Sequence, residues 1–355
     1  MNNPAQKRIR DYGVKIGKLE TGPNNSITDV EGVTVGHVTL SENDRQTGVT
    51  LILPHQGNLF KEKLIASTHV INGFGKAVGT IQINELGTLE TPILLTNTLS
   101  IGTAADALID YMLEQNPEIG RTTGTVNPVV CECNDMFLND IRARFITKDH
   151  VRQALENTSL FVEEGTVGAG TGMLCYSLKG GIGTASRTMK MDHGTYTMGI
   201  LVLTNFGILS DLTINGTAVG EELKERILQS REEQDKGSVI IIAGTDLPVS
   251  ERQLNRIIKR TITGLSRTGS IITTGSGEVV IGFSTAAKIP HDKTTQRMSV
   301  PMIHEEDIDL AFRAIGEATE EAVLNSLITA THVVGRDGNE RPALKDLLEK
   351  YSIQL

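Results

Sequence analysis

The sequence predicts an α/β fold built from buried strands and amphipathic helices. Residues 199–206 and 238–244 are short, apolar runs rich in β-branched residues, as buried strands are. Apolar residues recur every third or fourth position over 101–115, 250–267 and 305–330, which predicts helices that each bury one face. Glycine supplies 36 of the 355 residues, about a tenth against a usual ~7%. This excess indicates tight turns and close backbone contacts.

The first half of the chain is predicted to open with loops and short strands, over residues 1–55. The run TPILLTNTLS at 91–100 is predicted to be a buried strand that ends in polar residues. The helix over 101–115 follows directly and stops before Pro117, which a helix cannot easily continue through. A second short helix is predicted over 149–157.

The second half contains a charged segment and then more regular structure. Residues 218–236 carry many charges, which predicts a helix at first and then a solvated tether. Ser250 is predicted to cap the helix over 250–267, with Gln253 as its capping-box partner. Residues 271–283 are predicted to supply a pair of strands, and 342–351 a final short helix. We see no internal repeat and no domain break in the composition.

Composition and charge exclude several classes of protein. With 34 basic and 43 acidic residues, the net charge of -9 argues against a nucleic-acid partner and against an anionic membrane surface. No run of about 18 apolar residues occurs, and the N-terminus lacks the apolar region of a secretory signal. The odd set Cys131, Cys133 and Cys175 has no disulfide spacing, so we expect reduced thiols and a cytoplasmic location.

Common cofactor and catalytic motifs are also missing. Gly168 and Gly170 begin a pattern similar to the dinucleotide fingerprint, but Met173 stands where its last glycine belongs. The histidines show no metalloprotease spacing, and Cys131-Glu132-Cys133 lacks a second cysteine pair, so no metal site is expected. No G-x-S-x-G elbow is present, which excludes a standard α/β-hydrolase. We therefore expect neither cofactor nor metal.

The junction Gly237-Ser238 is the most informative local feature. A charged segment leads into glycine, then serine, then a buried strand. The Ser238 hydroxyl could attack the Gly237 carbonyl, because glycine leaves that carbonyl unhindered, and tolerates strained φ and ψ angles. Water would then cleave the ester. The Ser238 α-amine freed in this way has a pKa of ~8, which makes it a usable base. On local sequence alone, a loop glycine before a strand is the commoner meaning of this pattern.

Several separated segments together resemble the self-processing serine aminopeptidases, peptidase family S58. That family includes the L-aminopeptidase D-amidase/esterase and the β-peptidyl aminopeptidases, and the resemblance extends over nearly the whole chain. The block from Gly170 to Met173, with Lys179 to Arg187, is its most specific part. The segments are Ser26-Ile27-Thr28-Asp29-Val30 with Val35-Gly36-His37, Thr91 to Thr98, Gly165 to Arg187, Gly237-Ser238 with Thr245-Asp246, and Ser276-Gly277-Glu278.

The resemblance implies roles for four catalytic residues. Ser238 resembles the family nucleophile, exposed when the Gly237–Ser238 bond is cut, and Ser276 and Glu278 resemble its partners. Residues two apart on a strand share a face, so this hydroxyl and carboxylate would point together and could bind the Ser238 ammonium or relay its proton. Asn205 resembles the side chain that stabilises the oxyanion, a contribution of ~3–4 kcal/mol; a strand-end cap is the alternative.

The resemblance also implies two substrate-binding positions. Glu132 resembles the acidic residue that receives the free amine of the substrate by a charge-assisted bond. The alternative is a surface glutamate on a strand. Some relatives carry tyrosine at the position of Phe137, and this chain would lack any role of that hydroxyl. Either the role is dispensable or the substrate choice differs, as in the β-peptidyl branch. Asn134 and Asp135 are nearby polar candidates of lower rank.

The family fold is a four-layer αββα sandwich, similar in layering to the N-terminal nucleophile hydrolases but different in connectivity. The resemblance implies one catalytic domain over 1–355, processed into an α chain 1–237 and a β chain 238–355. It also implies a homo-oligomer of αβ units, with a tetramer expected.

Three functions stay open at this point. The first is an aminopeptidase or amidase acting on short peptides or on amino-acid amides and esters. Its preference among L-aminoacyl, D-alanyl and β-amino-acid substrates is set by pocket shape, which motifs do not report. The second is an acyltransferase of the ornithine acetyltransferase type, against which Ser238 argues because those enzymes use threonine. The third is an unprocessed binding protein that has lost activity.

Overall fold

Two β-sheets packed face to face form the centre of the structure, a computed structural model that describes residues 6–227 and 237–355. The first sheet has the strand order β1-β2-β6-β7-β4, and the second has the order β10-β11-β12-β13-β3-β5. In chain order, the described strands are β1 (Thr34–Glu42), β2 (Arg45–Leu53), β3 (Glu62–Gly73), β4 (Ala77–Val78), β5 (Thr88–Leu89), β6 (Ile93–Asn97), β7 (Val129–Cys133), β8 (Leu174–Cys175), β9 (Leu178–Lys179), β10 (Gly181–Met191), β11 (Gly194–Asn205), β12 (Ser238–Thr245), β13 (Gly277–Pro290), β14 (Val333–Val334) and β15 (Glu340–Arg341).

Helices cover the outer faces of both sheets. The described α-helices are α1 (Thr80–Leu86), α2 (Ile101–Gln115), α3 (Lys148–Glu156), α4 (Val219–Ile227), α5 (Glu251–Ile258), α6 (Thr261–Arg267), α7 (Ile308–Ile328) and α8 (Leu344–Tyr351). Short 3-10 helices lie at Ile9–Tyr12, Ile27–Asp29, Ile141–Ala143, Gly168–Gly170, Leu209–Asp211, Glu305–Asp307 and Arg336–Gly338. No α-helix in the described part of the chain combines the length and apolar character needed to span a bilayer.

Three hydrophobic clusters separate the layers and confirm the four-layer αββα order. The central cluster lies between the sheets and joins residues such as Leu95 of β6 to Ile240 of β12. A second cluster packs the other face of the six-stranded sheet against α5, α6 and α7. A third packs the five-stranded sheet against α2 and α3. Each sheet therefore buries both faces, which explains its nearly continuous apolar runs.

Buried ion pairs attach α7 to the six-stranded sheet. The Arg187 guanidinium, on β10, is fully buried and lies 2.6 Å from Glu321 and 3.3 Å from Glu317. Arg10, from the N-terminal segment, also binds Glu321 at 2.6 Å. Both glutamates lie on α7, so the network joins helix, sheet and N-terminal segment.

Most predicted elements are confirmed, with ends that differ by a few residues. The helix predicted over 101–115 is α2, and the long helix predicted over 305–330 is α7 preceded by a 3-10 turn. Ser250 caps α5 and forms the predicted capping box with Gln253. The first part of 218–236 is helical, as α4; the predicted tether lies outside the described residues.

Two predictions of regular structure are wrong. The helix over 250–267 is divided near Lys259, because α5 packs on β3 and β13 whereas α6 turns to pack on α7. The strand pair predicted over 271–283 is a turn followed by one strand, β13. Ile272 has a φ of 56°, in the left-handed region, and the Ser276 N–H donates to the Thr273 carbonyl, so the segment closes a turn before the strand begins.

Candidate functional site

Three strand ends meet at one edge of the six-stranded sheet. β11 ends at Asn205, β12 begins at Ser238 and β13 begins at Gly277. Asn205 lies directly opposite Ser238 in the antiparallel pair, and Ser238 lies beside Gly277 in the parallel pair. Leu203 and Ile240, two residues along each strand, belong to the core between the sheets. Strand alternation therefore places the side chains of Asn205 and Ser238 on that same inner face.

Gly237 is held tightly just before this junction. The Gly277 N–H donates to the Gly237 carbonyl at 3.2 Å, so this carbonyl is positioned and polarised. A Cβ atom on Gly237 would overlap with the carbonyl oxygen of Asn205 and lie 2.7 Å from the Phe206 Cα. The φ angle of Gly237 lies outside the left-handed region. Space, and not backbone strain, therefore requires glycine at this position.

Ser276 and Glu278 form a buried pair next to Ser238. The Ser276 hydroxyl donates to a carboxylate oxygen of Glu278, and both residues are buried. The expectation that these two groups point together is confirmed, although Ser276 belongs to the turn before β13 and not to the strand. Between them, Gly277 packs against the chain at Phe74, whose carbonyl oxygen would lie 2.5 Å from an added Cβ.

The Asn205 amide is oriented by two backbone groups. The Leu174 N–H donates to its Oδ1 at 2.9 Å, and its Nδ2 donates to the Asn134 carbonyl at 3.1 Å. Because Oδ1 accepts a backbone N–H, the nitrogen of the amide is fixed on the other side. An amide nitrogen carries two hydrogens, and among the described residues only the Asn134 carbonyl accepts one, so the second N–H is left to donate to another oxygen.

Glu132 is a buried carboxylate that neutral groups hold in place. It lies on β7, in the five-stranded sheet, and is 3% exposed, so the alternative of a surface strand residue is wrong. The Lys76 N–H donates to Oε1 at 2.9 Å, and the Thr98 hydroxyl donates to Oε2. Within residues 6–227 and 237–355, no lysine, arginine or histidine forms an ion pair with it. The site therefore contains a carboxylate without a protein cation.

A short segment brings the two sheets together at this edge. Residues 74–76 run from β3 in the six-stranded sheet to β4 in the five-stranded sheet. A Cβ atom on Gly75 would lie 3.7 Å from Glu132 Oε1 and 3.8 Å from the Gly277 Cα. Glu132 and the Ser238–Gly277 pair thus belong to one site, although they come from different sheets.

The site cysteines are poor nucleophiles. Burial raises the pKa of the Cys131 thiol to about 12 and that of the Cys133 thiol well above its usual value, and the neighbouring Glu132 carboxylate adds to both shifts. Both thiols are fully buried on the inner face of β7, as alternation predicts. Neutral, buried thiols are inert, so Ser238 is the better candidate for a nucleophile.

Phe137 is the second predicted substrate-binding residue. Phe137 lies in the turn after β7, and its ring stacks against the Arg341 guanidinium at 4.0 Å. Its role in substrate binding stays a prediction. Sequence reasoning missed Thr98 and the Lys76 N–H as partners of Glu132. The sequence contained a signal for Thr98, since this residue follows a buried strand that ends in polar residues. A backbone donor has no sequence signal.

A sequence model of peptidase family S58 matches residues 25–341. The β-peptidyl aminopeptidase BapA of Sphingosinicella microcystinivorans is 34% identical over 371 aligned residues, which cover 97% of this chain and 92% of that protein. The PH0078 protein from Pyrococcus horikoshii OT3 has a solved structure that is 48% identical, with a TM-score of 0.92 over 98% of this chain and 99% of that chain.

A third similar protein is the L-aminopeptidase D-Ala-esterase/amidase from Ochrobactrum anthropi. Its structure is 35% identical, with a TM-score of 0.88 over 98% of this chain and 99% of that chain. It is described as a prototype for the serine aminopeptidases and as a new variant among the Ntn hydrolase fold. The present chain therefore has this fold, belongs to peptidase family S58 and is a hydrolase of the serine aminopeptidase type.

Proposed function

We propose that this chain matures by cutting its own Gly237–Ser238 bond and then acts as an N-terminal nucleophile aminopeptidase. The observation that carries the proposal is the strand register, which places Ser238 between Asn205 and Gly277 with the Gly237 carbonyl held by a backbone N–H. A serine in this position has both a fixed carbonyl to attack and an amide to stabilise the product oxyanion.

Maturation is proposed as an acyl shift followed by hydrolysis. Ser238 Oγ attacks the carbonyl carbon of Gly237, the C–N bond breaks, and the proton from the hydroxyl ends on the released α-amine. Water then cleaves the ester, which leaves the Gly237 carboxylate and restores the Ser238 hydroxyl. The absence of a side chain on Gly237 keeps the attacked carbon accessible.

Turnover is proposed to use the new N-terminus as its own base. The Ser238 α-amine accepts the hydroxyl proton while Oγ attacks the substrate carbonyl, and it returns the proton to the leaving amine. The free N–H of Asn205 donates to the developing oxyanion. The Ser276–Glu278 pair, one strand away, stabilises the protonated amine. Water then releases the acyl group from Ser238.

Glu132 is proposed to select substrates with a free amine. Its carboxylate is desolvated and accepts only from neutral donors, so a substrate ammonium would supply the missing positive charge. One small residue, Gly75, separates this carboxylate from Gly277. An amine bound at Glu132 would therefore lie near Ser238, as removal of N-terminal residues demands.

The proposed substrates are short peptides, amino-acid amides and amino-acid esters with a free N-terminus. BapA is a β-peptidyl aminopeptidase, and the Ochrobactrum protein is an L-aminopeptidase and D-Ala-esterase/amidase. We therefore include β-amino-acid and D-alanyl N-termini in the proposal. A panel of p-nitroanilides of L-alanine, D-alanine and β-alanine ranks these classes directly.

Intact mass and N-terminal sequencing test the maturation. The purified protein should give fragments of about 26 and 13 kDa, scaled from the chain lengths before and after the cut. The smaller fragment should begin Ser-Val-Ile-Ile-Ile. Ser238→Ala should stay at 38.4 kDa and be inactive. Ser284→Ala, another buried serine on the neighbouring strand, is the matched control and should mature normally. An active, uncut wild-type chain would overturn the proposal.

A further inference from the structure

A fully buried lysine lies beside the oxyanion amide of the proposed site. Lys179 ends β9, and its side chain has no exposed surface. Its ammonium donates to the carbonyl oxygens of Gly170, Met173 and Gly180 at 2.9, 3.0 and 2.7 Å. An ammonium has three N–H groups, so all of them are used. No carboxylate forms an ion pair with Lys179 in the described ranges.

Two of the three carbonyls that Lys179 holds, those of Gly170 and Met173, belong to the turn that orients Asn205. Leu174 follows Met173 directly, and the Leu174 N–H is the donor to Asn205 Oδ1 at 2.9 Å. The turn is packed without free space: a Cβ on Gly170 would lie 2.6 Å from the Ile182 nitrogen. The Met173 carbonyl and the Leu174 N–H belong to one peptide unit, so a change at Lys179 reaches the Asn205 amide through this unit.

We propose that Lys179 is a positioning residue, whose ammonium fixes the 170–174 turn and thereby the orientation of the Asn205 amide. This inference rests on the oxyanion role proposed for Asn205 above. A buried ammonium without a counter-ion is costly, and a methionine of similar volume would fill the same space without charge. A lysine that binds three carbonyls holds them in one arrangement, which an apolar side chain cannot do.

The charge state of Lys179 links this positioning to pH. Burial lowers the pKa of Lys179 to about 7, and the nearby Cys175 thiol raises it slightly. A neutral amine has two N–H groups, so one of the three carbonyls loses its donor as the pH rises through this value. The backbone N–H of Lys179 donates to the Pro342 carbonyl, and Arg341, the residue before Pro342, is the neighbouring charge on that segment.

Two titratable groups lie on the other side of the turn. Asp135 packs against Gly172, and burial raises its pKa to about 7, against the opposing effect of its hydrogen bonds. His37 packs against Gly168, and burial lowers its pKa to about 4, so it is neutral over the working range. Asp135 is therefore the group whose titration must be separated from that of Lys179.

A double-mutant cycle tests the proposal on the full-length, matured enzyme. Asn205→Ala should lower kcat by 10²–10³-fold if it removes an oxyanion donor. Lys179→Met should lower kcat by about 10-fold or more with KM nearly unchanged, because the amide acts only in the transition state. The double variant should be no slower than Asn205→Ala alone. If a variant matures only slowly, the rate of Gly237–Ser238 cleavage replaces kcat, since that step also forms an oxyanion.

The outcomes separate the two proposals. Full activity of Asn205→Ala would overturn the proposed role of Asn205 itself. A slow Asn205→Ala with an independent, multiplicative effect of Lys179→Met would leave that role intact and overturn the inference about Lys179.

A pH series needs no Lys179 variant. The ratio of wild-type to Asn205→Ala kcat cancels the titration of the Ser238 amine. It should fall as the pH rises through about 7, and it should do so again when both proteins carry Asp135→Asn. A ratio independent of pH would overturn the link between this positioning and pH, and the double-mutant cycle alone would then decide on the positioning role of Lys179.

Discussion

Two buried cations in the same glycine-rich segment have opposite surroundings. Arg187 lies between Glu317 and Glu321, whereas Lys179 donates only to backbone carbonyls. The carboxylates follow the same division: Glu321 binds Arg10 and Arg187, while the described residues give Glu132 neutral donors only. Charges are thus paired where α7 joins the sheet and single at the candidate site. Paired charges stabilise the fold. At the site, the Glu132 carboxylate remains able to bind a substrate cation, whereas Lys179 is proposed to act only through the turn that orients Asn205.

The largest effect is expected where the charges are paired. Arg187→Met leaves two buried carboxylates short of a cation and should lower the free energy of unfolding by roughly 3–5 kcal/mol. Urea unfolding measures this. The control is Lys190→Met on the same strand, whose ion pair with Glu20 is exposed and should contribute far less to stability. Equal effects of the two variants would contradict the structural role of the Arg187 network.

Glu278→Gln should affect activity and not stability. The glutamine keeps the shape and can still accept from Ser276, but it removes the charge beside the Ser238 amine. We expect kcat to fall on the order of 10²-fold or more, and maturation to slow as well. Normal turnover in this variant would remove Glu278 from the mechanism and leave Ser276 alone.

Glu132 should account for the preference for a free amine. N-acetylation of alanine p-nitroanilide should lower kcat/KM by ~10²-fold or more, because an unpaired buried carboxylate costs several kcal/mol. Glu132→Ala should narrow this gap by slowing the free-amine substrate most. Wild-type hydrolysis of both substrates at one rate would indicate a general amidase.

The smallest effect concerns stability and pH at Lys179. Its folded pKa is about 7, below the usual value near 10.5, so between these values the unfolded chain binds a proton that the folded chain does not. The free energy of unfolding of the wild type should therefore rise relative to Lys179→Met, by about 1 kcal/mol per pH unit between pH 7 and 9. Arg187→Met, the same substitution at the other buried cation, is the control. A pH-independent difference for Lys179→Met would mean that the folded lysine keeps its usual pKa.

Local patterns in the sequence predicted the elements well. The periodicity over 101–115 predicted α2, and the apolar run after Ser238 predicted β12, because each pattern reports burial of one short segment. The capping box of Ser250 is likewise a local interaction. The strand pair over 271–283 was wrong since a left-handed residue at Ile272 turns the chain first.

Contacts between distant segments were beyond sequence patterns. The need for glycine at 237 comes from the carbonyl of Asn205 on the neighbouring strand, and not from its own backbone angles. Lys179 resembles a surface residue in sequence, yet it is fully buried and binds two carbonyls of the turn before it and the carbonyl of Gly180 after it. The identity of the site residues was available through the family resemblance, whereas the groups that hold Glu132 and Asn205 needed the structure.

The segment at 74–76 has a consequence for the length of the substrate backbone. Glu132 and Ser238 lie on different sheets, and Gly75 separates the edges that carry them. A β-amino acid places one more carbon between its amine and its carbonyl than an α-amino acid does. The substrate amine would contact Glu132 on the five-stranded sheet, and the substrate carbonyl would contact Ser238 on the six-stranded sheet. The distance between the sheets at Gly75 therefore sets how many carbons fit between the amine and the carbonyl. We therefore expect the separation of the two sheets at residues 74–76 to decide between α- and β-linked substrates.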